Sequence, residues 1–378
     1  MGKKACHIGF IATRLEGSDG VSLESKKWSD VLSELGHECF FFAGSTDRDK
    51  DRSLTVPEAH FEHPEVREID EDLFGSHQRL DSTSEKVHQL RSRLKEGLKK
   101  FIKRFDIHLL IVENAVSIPM NIPLGLAITE LVAESDMPCI AHHHDFTWER
   151  ERFGINAARD YLQAAFPPAM PEIHHVVINS YGASELARRA GMSSTLIPNV
   201  MDFENPPKDR DDYSKDMDTE LGVAEKECFL LQPTRVVPRK QIERAIDLAR
   251  RLDVPNALVV SHSSGDEGHE YKKYLHDFAE VCDVKLLFAE ERFSYHRGRT
   301  SDEKKIYSLA DAYRRCDLVT YPSRVEGFGN AFLEAIYYKR PIMLSCYEIY
   351  KRDLRPKGFR VIEFSEFIPD SVVDRVKD

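Results

Sequence analysis

Residues 318–341 read LVTYPSRVEGFGNAFLEAIYYKRP. The run LVTYPS is apolar and of strand length. Arg324–Gly329 is a polar loop with glycines at 327 and 329, and Asn330–Tyr338 carries apolar residues at helical spacing. A strand, a glycine loop and a helix in that order open a β-α-β unit. The start of the helix leaves backbone N–H groups at the positive end of its dipole, a natural place for phosphate. Gly327 and Gly329 let a ligand approach the backbone closely. Glu326 in the loop can accept hydrogen bonds from sugar hydroxyls, and Glu334 in the helix can accept them from a vicinal diol such as a ribose. A phosphate flanked by two polyols describes a nucleotide sugar. An equally simple reading makes Glu326 a helix cap and Glu334 a solvated side chain, so the rest of the chain has to decide.

The same alternation recurs throughout. Strand-length apolar runs are HIGFIAT, ECFFFAG, HLLIVEN, PCIAHHH and HVVINS in the first half, then CFLLQPT, ALVVSHS, VKLLFAE and PIMLS around the opening stretch. Amphipathic helical patterns at Leu23–Leu35, Val87–Phe105, Ala183–Ala190, Gln241–Leu252 and Glu270–Ala279 lie between them. Near-continuous apolar strands alternating with helices mean parallel sheets covered on both faces. At 378 residues the chain exceeds one comfortable core. The expected architecture is α/β, with two Rossmann-like doubly wound domains facing across a cleft, spanning residues 1–204 and 223–378. The proline-rich, charged stretch within 205–222 reads as a linker or surface loop. Residues 45–82 are polar and give weak signals.

With 41% hydrophobic and 31% charged residues the composition is that of an ordinary globular protein. No apolar run approaches a membrane-spanning length of ~20 residues. Seven scattered cysteines without a CxxC fit a reducing cytoplasm, and a net charge of -11 argues against nucleic acid as a partner.

Other segments support the nucleotide-sugar reading. In LLQPTRVVPRK, Arg235 and Lys240 sit in the loop after a second-domain strand, where two cations suit a diphosphate. In the first domain, Gly17 and Gly20 open a loop before the helix from Ser22, a second candidate phosphate cradle. The run His142-His143-His144 invites a metal reading, but no spacing supplies the remaining ligands of a zinc site. One sugar-site histidine with two structural neighbours is the simpler expectation. The triplets Asp47-Arg48-Asp49 and Asp216-Met217-Asp218 lie in charged loop-like segments, the usual setting of solvated charge. The segment after His144 carries Trp148, Glu149, Arg150 and Arg152, and could line an acceptor pocket or simply start a charged helix.

In this order the pieces resemble the retaining family 4 glycosyltransferases, which have the two-domain GT-B fold. Asp19-Gly20-Val21 is similar to that family's Gly-Gly-Val loop, with Asp for the first glycine. His144-Asp145 resembles its His-Asp pair, and IPNVMDF its Pro-Asn-Gly-Val-Asp segment. PTRVVPRK resembles Gly-Arg-Leu-x-x-x-Lys-Gly, and the opening stretch resembles Pro-Ser-x-x-Glu-Gly-Phe-Gly-Leu-x-x-Leu-Glu-Ala, with Asn330 in the leucine place.

The resemblance implies transfer of a hexose from a UDP- or GDP-linked donor to an acceptor hydroxyl, with retention and without metal or other cofactor. It implies that Glu326 contacts the transferred sugar and Glu334 the ribose. Arg235, Lys240 and the backbone at Gly327, Phe328, Gly329 and Asn330 would hold the diphosphate. Gly20 would meet it from the first domain, and His144 would lie beside the sugar and the attacking hydroxyl. Asp19, with Trp148 and Arg152, would face the acceptor, a small molecule or a lipid-linked one. An epimerase or phosphorylase on the same fold, or a non-catalytic nucleotide-sugar-binding protein, are the alternatives.

Two expectations concern the periphery. Residues 90–105 form a helix with an apolar stripe of Leu90, Leu94, Leu98, Phe101, Ile102 and Phe105 among Lys and Arg. Such a helix fits an anionic surface at the inner membrane face as well as an ordinary domain interior. After FRVIEF only one short helix, Asp370–Lys377, is expected. That leaves out the terminal helix that crosses back over the first domain in the family, so the cleft would close less firmly.

Overall fold

The computed structural model describes residues 5–17, 19–264 and 269–377. The chain divides into two compact units, Met1–Pro198 and Asn199–Asp378.

The first unit is built on seven parallel strands: His7–Ile11 (β1), Glu38–Ala43 (β2), Ser53–Thr55 (β3), Leu109–Glu113 (β4), Cys139–His143 (β5), Ile173–Val177 (β6) and Thr195–Leu196 (β7). Their order is β3-β2-β1-β4-β5-β6-β7. The covering helices include Gly20–Glu34 (α1), Pro64–Leu73 (α2), Asp81–Phe105 (α3), Ile122–Ser135 (α4), Arg159–Ala165 (α5) and Ser180–Ala190 (α6). The polar stretch with weak signals thus supplies the edge strand β3 and helix α2, whose Val66, Ile69 and Leu73 reach the core.

The second unit has six parallel strands: Cys228–Gln232 (β8), Asn256–Val260 (β9), Leu286–Phe288 (β10), Leu318–Tyr321 (β11), Ile342–Ser345 (β12) and Ile362–Phe364 (β13). Their order is β10-β9-β8-β11-β12-β13. Helices Ile242–Arg251 (α7), His269–Val281 (α8), Leu309–Arg315 (α9), Asn330–Tyr337 (α10) and Asp370–Lys377 (α11) accompany them. In both sheets the strand order reverses beside the first strand, between β1 and β4 and between β8 and β11. Ligands of doubly wound sheets gather at the carboxyl ends of strands flanking such a switch point.

Helix α3 answers the membrane expectation. Its Leu90, Leu94, Leu98 and Phe101 are fully buried in the core of the first unit, each contributing about 1.5–3 kcal/mol by leaving water. Around that stripe Arg91 pairs with Glu130, Lys95 with Glu130 and Glu134, and Arg93 with Glu65. The apolar face that a bilayer would need is used for folding.

The stretch expected to be a linker or surface loop lies on the second unit and is bound to it. Arg297 donates to both Asp211 and Asp311, Lys305 pairs with Asp216, and the Tyr213 hydroxyl donates to the carbonyls of Gly298 and Ile306. The dense charge that looked like solvated loop is charge with partners. The final helix α11 packs Val372 and Val373 into the core of the same unit.

Candidate active site

In the second unit the loop after β8 runs through Arg235 to Lys240, and the loop after β11 carries Glu326. Backbone ties them: the Arg324 N–H donates to the Arg239 carbonyl at 2.9 Å, and an Arg239 guanidinium N–H to the Val325 carbonyl at 3.1 Å. The Lys240 ammonium donates to Glu326 Oε1, and both side chains are 9% exposed. Burial alone would raise the Glu326 pKa, but Lys240, together with Ser323 and Arg239, holds it below the usual carboxylate value. Lys240 is pushed down by its burial, with Arg239 and Arg235 adding repulsion against the pull of Glu326. Lys240 and Arg239 therefore flank one carboxylate, and Arg235 lies within electrostatic reach of Lys240. The excess positive charge matches a dianionic ligand such as a diphosphate.

The same loops meet the N-terminus of α10. Gly329 precedes it at φ +107°, a left-handed conformation suited to glycine. A Cβ there would lie 2.2 Å from the Tyr347 hydroxyl. That hydroxyl donates to the Phe328 carbonyl at 3.1 Å, fixing the turn. No side chain caps the helix, so its first amides keep their capacity to bind an anion. Further along α10, Glu334 Oε2 accepts from the Tyr313 hydroxyl at 2.7 Å. This sets the carboxylate's orientation.

The structure thus gathers Arg235, Lys240, Glu326, Gly327, Phe328, Gly329, Asn330 and Glu334 on two loops and one helix at the switch point of one sheet. Sequence reasoning missed three neighbours. Tyr321 and Tyr347 are buried within electrostatic reach of Glu326. His262, after β9, is driven down to about 4 by burial and by Lys240 and Arg235, so it is neutral. Tyr321 lay in view as a strand residue. Tyr347 follows a different strand and carries no local signal.

In the first unit the histidine run alternates faces, as an extended segment must. Glu113 ends β4 and pairs in register with His142 on β5. Its Oε2 accepts from His142 Nδ1 at 2.9 Å and from His144 Nε2 at 3.1 Å. Burial alone would raise the Glu113 pKa, but the two imidazoles outweigh it and hold it at about 2. In return His144, which burial alone would lower, is raised by Glu113 and keeps its proton to higher pH. His143 points the other way, at 2.5 Å from Ser117 Oγ and 2.8 Å from His175. Burial and the neighbouring histidines keep it neutral. Glu24 and Trp28 of α1 complete the surroundings: the Trp28 ring lies 4.5 Å from that of His142, and buried Glu24 pairs with Lys27.

Glu113, His142 and His144 have the donor set of a divalent metal site, their ligand atoms lying within 4.8 Å of one another. The two imidazole–carboxylate hydrogen bonds already account for that closeness, and an ion would have to replace both. The aspartate triplets are engaged elsewhere. Asp47 accepts from the Gly17 N–H, Asp49 caps a short turn, Asp216 pairs with Lys305 and Asp218 with Arg315.

The four first-unit residues expected at the substrates have these local surroundings. Gly20 is the first residue of α1, and Asp19 caps that helix, accepting from the N–H groups of Val21 at 3.1 Å and Ser22 at 3.2 Å. Those two amides are paired with a carboxylate of the chain itself. Trp148 stacks on Phe146 with ring centroids 4.5 Å apart, beneath the Arg189 guanidinium, and belongs to a small core cluster. Arg152 lies over the Phe153 ring. Asp19, Trp148 and Arg152 therefore serve three separate local roles.

Two Rossmann-like units in one chain are the architecture of the GT-B glycosyltransferases. The fold is similar to that of Anabaena HepE, crystallised with UDP-glucose, at a TM-score of 0.62 with 13% identity, over 98% of this chain and 88% of that one. The family model for glycosyl transferases group 1 matches residues 214–357, which include the whole cation and carboxylate cluster. Over 95% of its length the chain is 35% identical to the mannosylglucosylglycerate synthase of Thermotoga maritima, covering 85% of that protein. The corresponding synthase of Petrotoga mobilis is 32% identical over 94% of this chain and 86% of its own. The chain belongs to the group 1 glycosyltransferases and is a glycosyl-transferring enzyme.

Proposed function

We propose that the chain moves a mannosyl group, with retention and without a metal, from a nucleoside-diphosphate donor to a hydroxyl of glucosylglycerate or a closely similar sugar acid. The observation that carries the donor half is the convergence of Arg239 and Lys240 on Glu326, with Arg235 in electrostatic reach of Lys240, beside the uncapped start of α10. The acceptor half follows the products named for the two relatives. A small polar acceptor also agrees with an α3 whose apolar stripe is buried.

On this reading the cations and helix-end amides stabilise the charge that develops on the departing diphosphate, without reorganisation. Glu326 holds hydroxyls of the transferred sugar, Glu334 the ribose diol, and His144 the reacting hydroxyls. In retention the new bond forms on the face the diphosphate leaves, and a phosphate oxygen takes the acceptor's proton. No pair of catalytic carboxylates is then required.

The test is a matrix of GDP- and UDP-linked mannose, glucose and galactose against glucosylglycerate, glycerate and glucose, with and without EDTA. Products are read by mass spectrometry and their anomeric configuration by NMR. Nucleoside diphosphate released only with glucosylglycerate, EDTA-insensitive, and a product of retained configuration support the proposal. An inverted product sinks the stereochemical part, and loss of activity in EDTA sinks metal independence.

A further inference from the structure

Asn330 stands in the first position of α10, next to Gly329 and within the donor loop. Its Oδ1 accepts from Asn199 Nδ2 at 2.9 Å. Asn199 lies far away in sequence, is only 6% exposed, and its own Oδ1 is buried without a partner among the described residues. Asn330 is less deeply buried. Among the described residues nothing accepts a hydrogen bond from its Nδ2.

The arrangement is a poor way to stabilise a fold. An amide pair that leaves one polar atom buried and unsatisfied loses to an apolar pair of similar shape. It does accomplish one thing: with its carbonyl tied to Asn199, the Asn330 side chain has one orientation, and its NH2 group projects as a fixed donor. Glu326, four residues earlier, is an acceptor at the same loop. A site that pairs a fixed acceptor with a fixed donor can distinguish hydroxyls that differ only in position, because a misplaced hydroxyl leaves a protein group unpaired.

We infer that the Asn199–Asn330 pair is a specificity element for the transferred sugar: the Asn330 amide donates to one sugar hydroxyl, and Asn199 is a positioning residue that fixes the amide's orientation. This rests on the donor reading above and adds to it the group that chooses among hexoses.

The test compares wild type, Asn330→Leu and Asn199→Ala on GDP- and UDP-linked mannose, glucose and galactose, with glucosylglycerate as acceptor. For Asn330→Leu the kcat/KM of the preferred donor should fall about tenfold, the worth of one neutral hydrogen bond to substrate. Its advantage over the epimeric donors should shrink by a similar factor, and Asn199→Ala should move the ratio the same way by less. Binding of the free nucleoside diphosphate, measured by calorimetry, should match wild type in Asn330→Leu, since the backbone amide stays. Donor ratios unchanged in both variants would overturn the inference while leaving the donor reading intact. A wild-type enzyme that consumes none of the six donors would overturn the donor reading itself, and the inference with it.

Discussion

Helices α1 and α10 start alike and acquire opposite chemistry. Each follows a strand beside the switch point of its sheet through a loop with glycine, and each presents free amides at its first turn. At α1 the Asp19 carboxylate accepts from Val21 and Ser22 N–H and from the Ser22 hydroxyl at 2.6 Å. At α10 the equivalent place is held by Gly329, which has no side chain to offer, with Lys240, Arg239 and Arg235 close by. A helix N-terminus attracts negative charge from any source. In the first unit the chain supplies that charge; in the second, we propose, the substrate does. One residue before the helix decides which.

The largest expected effect breaks the α10 side of this contrast. Glu326→Ala, Arg235→Ala and Lys240→Ala should each cut kcat/KM by about 10²–10³, the usual cost of losing one preorganised charged contact. Far-ultraviolet circular dichroism should show all three folded. Wild-type turnover in a folded Glu326→Ala protein would remove the second unit's loops from the reaction.

Next comes Gly329→Ala, which forces a Cβ into a left-handed turn and onto the Tyr347 hydroxyl. About 1–3 kcal/mol of strain is expected, with a lowered melting midpoint and weaker nucleoside diphosphate binding. Tyr347→Phe in the same chain should recover part of the loss by removing the oxygen in the way. No recovery would assign the whole cost to φ.

A third prediction uses the first unit's own buried charge. Burial is outweighed by mutual hydrogen bonding and charge, which raise the pKa of His144 above its ordinary 6.5 and lower that of Glu113 from 4.5 to about 2. The depressed carboxylate contributes stability that is fully present above about pH 4.5 and is lost as pH falls toward 2. The raised imidazole contributes stability that is fully present below about pH 6.5 and is lost as pH rises through its folded value. The pair is thus most stabilising between those limits. Glu113→Gln should erase this window in a pH series of melting midpoints. It should also move the alkaline fall in kcat/KM to lower pH, since His144 then loses its proton earlier. An unmoved alkaline limb would show that His144 does not titrate in the rate.

The contrast also explains what was legible in the sequence. Strand runs such as ECFFFAG and CFLLQPT named the sheet, because parallel strands buried on both faces read as unbroken apolar residues. The loop of Glu326 was legible because glycines and carboxylates at fixed spacing sit on one local element. Glu113 was not: its partners lie some thirty positions away and meet it only through the β4–β5 register. Tyr347 and Asn199 were hidden for the same reason, since their hydrogen bonds to the α10 loop join residues far apart in sequence. Asp19 was ambiguous because its place in the motif fits two roles. Only the positions of the backbone N–H groups reveal that the carboxylate turns inward onto its own helix.

Asp19 therefore carries the smallest predicted effect and the sharpest test of the comparison. If its carboxylate is a cap, Asp19→Ala removes two hydrogen bonds to α1 amides and costs about 0.5–2 kcal/mol. A neutral side chain of the same reach distinguishes this from simple charge loss: Asp19→Asn keeps an accepting oxygen and should recover most of the stability relative to Asp19→Ala. Donor KM should change little in either variant, because the cap holds α1 and not the diphosphate. Suppose instead that the loop is a second phosphate cradle, with Asp19 standing where a glycine would serve better. Asp19→Gly would then tighten nucleoside diphosphate binding by removing a repelling charge, at a stability cost of only a few tenths of a kcal/mol relative to the aspartate. Calorimetry on Asp19→Gly separates the two. Unchanged affinity with a slightly lower melting midpoint keeps the difference between the helices as drawn, whereas a clear gain in affinity would make α1 a partner of α10 in holding the donor.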